Sequence, residues 1–237
     1  PTSVMETGWD ILFFWVARMV LTTTYVTGQV PFRNVYLHGL VRTEDGNEMS
    51  KSHPETIIDP LEVIPEFGTD ALRFALVQGM SAGNDQRLGR TKIVANRNFS
   101  NKLWNVARYI ESVTGDTPDR AGAKPSTAAD HWILSKLQRS QEKVVVDLDN
   151  FRFSDAYDTL YHFVWDDLAD WYIEASKTAP NAPVLAYVLE QTLLIAHPFA
   201  PFLTETIWQT LAWEGDSVLA AQTLQPIVAY DAKLAAG

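Results

Sequence analysis

The stretch Gly46-Asn47-Glu48-Met49-Ser50-Lys51-Ser52 follows an apolar run, Val35-Tyr36-Leu37-His38-Gly39-Leu40-Val41, across the turn Glu44-Asp45-Gly46-Asn47. Asp-Gly tolerates the positive φ that a two-residue hairpin demands, and the run before it predicts a strand over 35–41. Beyond the turn, Lys51 stands between two hydroxyls. A compact ammonium flanked by hydrogen-bonding groups suits the negative charge that builds on a leaving pyrophosphate. Taken alone, the heptapeptide also fits a polar surface loop with an ordinary lysine, because short motifs recur by chance.

Its neighbours narrow the choice. Gly8-Trp9-Asp10-Ile11-Leu12-Phe13-Phe14-Trp15-Val16-Ala17-Arg18-Met19 and His38-Gly39-Leu40-Val41-Arg42 precede the loop. Arg97-Asn98-Phe99-Ser100-Asn101-Lys102-Leu103-Trp104-Asn105, Asp170-Trp171-Tyr172-Ile173-Glu174 and His197-Pro198-Phe199-Ala200-Pro201-Phe202-Leu203-Thr204-Glu205 follow it. In this order, with Met-Ser-Lys-Ser between them, they resemble the class I aminoacyl-tRNA synthetases over almost the whole chain. The first two segments look most like the valyl branch, while isoleucyl and leucyl relatives share the later helices.

The resemblance implies ATP-dependent attachment of valine to its tRNA in the cytoplasm, with ATP and its Mg2+, valine and valine tRNA as partners, and neither DNA nor membrane. It assigns ATP contacts to Gly8, Asp10, His38, Gly39, Met49, Ser50, Lys51 and Ser52, with Lys51 as the catalytic group. Gly8 and Asp10 resemble the ribose-binding turn, where a glycine admits close backbone approach and a carboxylate accepts from ribose hydroxyls. His38 resembles a residue of the strand that abuts adenine. The same positions also read as a helix cap at Asp10 and a packed strand histidine at His38. Two departures stand out: Glu48 occupies a position where the family loop usually opens with Lys, and His53-Pro54-Glu55 replaces a small residue followed by Gly-Asn.

With 237 residues the chain can bury a sizeable core and divide into two units, and 46% hydrophobic with 20% charged residues is ordinary for a globular protein. Cys is absent, which excludes disulfides, a thiol nucleophile and Cys-based zinc. The histidines His38, His53, His131, His162 and His197 never pair at ligand spacing, so no metal site is expected. Ile11 to Tyr25 is the most apolar stretch. Arg18 and Thr22-Thr23-Thr24 keep it from being a clean membrane span, and it lacks the flanks of a signal peptide, so a buried helix is expected there. Pro1 is no initiator residue, and the resemblance begins inside the family's catalytic domain, so a fragment is expected, inactive alone.

Periodicity predicts a strand over 2–6, a turn at Gly8-Trp9-Asp10 and a helix over 11–26 bounded by Gly28 and Pro31. Asp59-Pro60 opens a short helix, and Thr69 is expected to cap a helix over 70–80 striped by Ala71, Leu72, Ala75 and Leu76. From Thr91 the period is helical throughout. Phe99, Leu103, Val106 and Ile110 share one face, Asp130 is expected to cap the next helix, and Ser154, Pro183 and Pro201 start three more. In the helix from Ser154, Trp171 and Ala175 are expected on the inward stripe. The expected fold is α/β followed by all-α. Residues 1–90 form the C-terminal part of a Rossmann-like catalytic domain with the loop, and residues 91–237 a helical-bundle anticodon-binding domain.

A net charge of −10 argues against a general nucleic-acid binder. Yet the segment 87–108 holds Arg87, Arg90, Lys92, Arg97, Lys102 and Arg108 and no acidic residue, a focused patch able to displace phosphate counterions. A solvated helix face ion-paired to acidic helices fits the same composition. The resemblance favours tRNA contact, because this helix lies beside the inner corner of tRNA in relatives. Trp165, Trp171, Tyr172, Trp208 and Trp213 can serve as stacking platforms or as core. Three other readings remain open: an isoleucyl-type synthetase fragment, a noncatalytic RNA-binding module or synthetase paralogue, favoured by Glu48, and a plain helical interaction domain.

Overall fold

The computed structural model describes residues 1–49, 57–116, 118–213 and 217–236. Strand β1 (Thr2–Gly8) pairs in parallel with β2 (Phe32–His38), Thr2 opposite Phe32 and Gly8 opposite His38. Between them the chain makes a 3-10 turn (Trp9–Ile11), a π-helical turn (Leu12–Val16) and helix α1 (Ala17–Thr27). Gly28 ends α1 with φ of 69°, the left-handed cap expected there.

The expected strand over 35–41 instead breaks after His38. A second short strand, β3 (Val41–Arg42), pairs in parallel with β4 (Gln86–Arg87). The break occurs where Gly39 crosses the neighbouring chain: a Cβ there would stand 1.7 Å from the Asn84 carbonyl oxygen. The hairpin after β3 also differs from the two-residue form. Gly46 N donates to Thr43 O and Thr43 N to Asn47 O, enclosing a three-residue loop with Gly46 at φ of 86°.

The expectation of a buried helix over 11–25 is overturned. Val16 is buried, but Phe13 is 77% and Tyr25 92% exposed, and Trp9, Phe14, Trp15 and Leu21 are exposed with them. Apolar composition signals burial only where a partner surface exists, and no described element covers this face.

Helices α2 (Pro60–Phe67) and α3 (Thr69–Val77) follow, with the Asp59 carboxylate accepting Leu61 N at 2.8 Å. Gly68, rather than Thr69, occupies the cap position of α3, because its φ of 91° lets the chain turn directly from one helix into the other. The predicted stripe of α3 packs with Val63, Phe67, Leu88 and Ile93 into a small core.

Helix α4 (Arg90–Thr114) runs from this core into a larger one, burying Phe99, Leu103, Val106 and Ile110 as expected. Around that larger core pack α5 (Ala128–Asp149), α6 (Phe153–His162), a π-helical continuation (Phe163–Tyr172), α7 (Ile173–Ser176), α8 (Ala182–Ala196) and α9 (Pro201–Leu211). Thr127, not Asp130, is the cap of α5; Asp130 supplies the reciprocal half of a capping box. Trp171, expected inward, is 70% exposed, and Ala175 is exposed too. Ten residues of wider π winding rotate the face that a 3.6 period assigns.

Candidate functional site

Because β1 and β2 are parallel and in register at Gly8 and His38, both strands end at the same edge. Gly8 lacks the atom that would block this edge: a Cβ would stand 2.4 Å from Asp10 Oδ1 and 3.6 Å from His38 Cε1. The fold thus gathers Gly8, Asp10 and His38 at one edge. The His38 ring is half-buried, with Nδ1 2.9 Å from the Gly39 carbonyl oxygen and Nε2 4.0 Å from Glu6 Oε1. Two residues upstream on the same sheet face, Tyr36 is buried against Phe151 and Phe153. Burial, and secondarily the charge of Glu6, pushes the Tyr36 phenol up.

The next piece of chain is held from its other neighbour. Gly83 N donates to Leu37 O, Gln86 N to Leu40 O and Leu88 N to Arg42 O. Asp85 Oδ1 accepts Leu40 N at 2.8 Å, and Oδ2 accepts Arg42 Nε. The Leu40 amide first, then Arg42, hold the Asp85 carboxyl below its usual range. No local signal in the sequence singles out Asp85, because its partners lie 43 and 45 residues away. Its role is to place β3 and hence the hairpin.

That hairpin delivers Met49, which packs on the smaller core beside Val41 and Ile58 and anchors the start of the loop. The expectations for Ser50, Lys51 and Ser52, and for His53-Pro54-Glu55, fall outside the described residues. Glu48 is exposed and forms a single antiparallel bridge with Arg42.

The basic segment divides. Arg87 leans on the hairpin: its Nη1 donates to Glu44 O at 3.5 Å, and its guanidinium lies beside Gly46. Lys92 turns inward, with Nζ 2.5 Å from Gln78 O, and burial lowers its pKa. Lys102 pairs with Asp170 at 2.6 Å and lies over the Trp165 ring. Arg90 pairs with Glu66 at 2.8 Å, and both Arg90 and Arg97 lie over Phe67. Arg108 is exposed next to Trp104 and Glu111. Arg90, Arg97 and Arg108, spaced by seven and eleven residues, share one face of α4.

The aromatics divide as well. Tyr172 and Trp208 are core, Trp165 stacks on Tyr161, and Trp171 stands out from the helical unit near Trp132. Among the described residues no group of three or more His, Cys, Asp or Glu could hold a metal ion, and no helix is long and apolar enough to cross a membrane.

Residues 1–89 match the family model of class I tRNA synthetases (I, L, M and V), and residues 130–234 that of the anticodon-binding domain of tRNA ligases. The chain is 44% identical over 235 residues to a valine-tRNA ligase of Geobacillus kaustophilus, covering 93% of this chain and 26% of that relative. A valine-tRNA ligase of Bacillus subtilis is 42% identical over 236 residues, covering 94% and 26%. The chain therefore spans about a quarter of the length of the curated relatives it matches. Among solved structures, a ternary complex of Agrobacterium radiobacter LeuRS, tRNA and LeuAMS superposes with a TM-score of 0.75 at 22% identity over 98% of this chain and 29% of that one. Mycobacterium tuberculosis methionyl-tRNA synthetase with methionyl-adenylate gives 0.74 at 21% identity, over 97% and 48%. These two share the fold.

Proposed function

This chain belongs to the class I aminoacyl-tRNA synthetases, and we propose that it serves ATP-dependent attachment of valine to its tRNA as part of a longer enzyme. We place the division between its two units at residue 90: a nucleotide-binding part with the signature loop, then a helical unit for the anticodon arm. The observation that carries this reading is the convergence of Gly8, Asp10 and His38 at the carboxyl ends of two parallel strands, where open α/β sheets receive nucleotides.

In this reading the bare Gly8 edge admits the sugar, Asp10 accepts its hydroxyls, and His38 and Gly39 border the adenine. Met49 leads into the loop, whose Ser50, Lys51 and Ser52 we assign to the phosphates; Mg2+ enters with ATP as part of the substrate. Lys51 offsets the charge that develops on pyrophosphate as the carboxylate of valine attacks the α-phosphorus. The exposed aromatic face of residues 9–26 is the surface on which the remainder of the catalytic domain packs. Arg90, Arg97 and Arg108 contact tRNA phosphates, while Arg87 leans on the hairpin, Lys102 is held by Asp170 and Trp165, and Lys92 points inward. The cytoplasm, where tRNA is charged, is the proposed location.

The test is valine-dependent exchange of pyrophosphate into ATP by the enzyme that contains this chain. Lys51→Ala should slow it by on the order of a hundredfold or more with little change in valine binding. The isolated chain should show none. Glu48, where the family usually has Lys, favours a second reading, a noncatalytic RNA-binding module. An inactive enzyme that still binds valine tRNA would select it.

A further inference from the structure

The elbow between α5 and α6 carries an aromatic residue where the backbone asks for glycine. Arg152 N donates to Asp147 O at 2.8 Å and Phe151 N to Leu148 O at 3.1 Å, a Schellman closure of α5. The residue in its left-handed position is Phe151, with φ of 59°. That conformation crowds a side chain against the following carbonyl, and glycine adopts it freely. Local structure therefore does not account for a phenylalanine. The elbow is also clamped: Asp147, 1% exposed, accepts from Lys143 Nζ at 2.6 Å and from Arg152 Nη2 at 2.6 Å.

What the side chain does is tertiary. The Phe151 ring lies 5.9 Å from the Tyr36 ring and 6.2 Å from Phe153, which itself meets Tyr36 edge-on at 5.4 Å. Two rings of the helical unit thus enclose one ring of β2. Tyr36 and His38 project from the same face of that strand, about 7 Å apart along it. A second tie runs beside the first: Ser154 Oγ accepts Gly79 N at 2.8 Å, just before the 83–88 segment that holds β3.

We propose that Phe151 is a positioning residue for nucleotide binding: it wedges Tyr36 from the helical unit and so sets the orientation of His38 at the end of β2. The assignment of ATP to that edge rests on the function proposed above; the wedge itself is a statement about Tyr36 and His38. It connects the helical unit to the nucleotide edge without contact to either ligand.

The decisive variant is Phe151→Gly, which removes the ring and suits the left-handed backbone, with Phe151→Tyr as the conservative partner and Phe151→Leu in reserve if the glycine variant does not fold. In this chain, the glycine variant should shift the His38 Cε1–H resonance while the tyrosine variant restores it. In the longer enzyme, it should raise KM for ATP about tenfold, with KM for valine and the Kd for tRNA unchanged. An unmoved His38 resonance, or KM values for ATP and valine rising together, would overturn the wedge. If the unmutated enzyme shows no ATP-dependent exchange, the ATP reading fails, and the His38 resonance alone then supports or overturns the wedge.

Discussion

The Asp70 carboxylate on α3 accepts the backbone amide of Leu203, in the first turn of α9, at 2.5 Å across 133 residues of sequence. One turn along α3, Arg73 donates from Nε to Phe199 O and from Nη2 to Pro198 O, both at 3.0 Å. Asp70 meets the unpaired amides at the start of α9, and Arg73 meets carbonyls in the turn before it. The Tyr157 hydroxyl adds a buried hydrogen bond to Asn96 Oδ1 within the helical unit, on the α4 side of the same joint. These contacts seat the helices on the α/β part.

Removing the carboxylate should cost stability, because the amides at the start of α9 would lose a buried acceptor. Asp70→Ala is expected to lower unfolding free energy by roughly 1–3 kcal/mol, and Asp70→Asn, which keeps one acceptor oxygen, by less. Urea unfolding of this chain measures both. An alanine variant as stable as the parent would show that α9 docks without this bond.

Acid should destabilise the chain through Asp130 and Asp147. Burial pushes both carboxyls up, but hydrogen bonds outweigh it and hold them below the usual range: Ser126, Asn181 and Tyr172 at Asp130, Lys143 and Arg152 at Asp147. Their contribution is complete above the ordinary Asp pKa of about 4 and is lost as the pH falls through their depressed values. Burial raises Asp70, Asp158 and Glu190, which act with the opposite sign and lose their contribution as the pH rises through the raised values. Asp147→Asn should therefore flatten the fall in stability below about pH 4; an identical acid limb would contradict the assignment.

Gly39 and Gly8 should respond differently to alanine. At Gly39 the new Cβ meets backbone, 1.7 Å from Asn84 O and 2.6 Å from Asp85 N, so β3 must separate from its neighbour. Gly39→Ala should cost more than about 3 kcal/mol or prevent folding. At Gly8 the nearest atom is the end of the Asp10 side chain, at 2.4 Å, which can swing away. Gly8→Ala should keep the fold and, if Asp10 accepts the ribose hydroxyls as proposed, weaken ATP binding about tenfold or more, since that carboxylate is displaced. Thermal midpoints and ATP titration of the longer enzyme separate the two; equal loss of stability would refute the contrast.

If Arg97 and Arg108 contact tRNA phosphates as proposed, reversing their charge should weaken cognate and noncognate tRNA alike, because phosphate contacts position without specifying. The slope of log affinity against log salt should shrink by about one for each phosphate that is no longer neutralised, while an anticodon swap should discriminate between tRNAs. Filter binding at two salt concentrations reads both effects. Binding that ignores salt and anticodon would leave a helical interaction domain as the better description.

Local sequence determined whatever local physics decides. The Asp59-Pro60 start of α2, the Gly28 stop of α1 and the apolar stripe of α4 stand where spacing places them, because caps, left-handed glycines and the 3.6 period act within a few residues. The family resemblance was equally legible, since its motifs are contiguous words of the sequence. Tertiary structure alone decided the rest. The strand breaks at Gly39 because another backbone passes within contact distance, Lys92 turns inward because Gln78 O awaits it, and Trp171 faces out because ten π-helical residues shift the face. Asp70, Asp85 and Phe151 draw their meaning from partners 43 to 133 residues away. Residues so far apart in sequence acquire a shared role only when folding removes the chain between them.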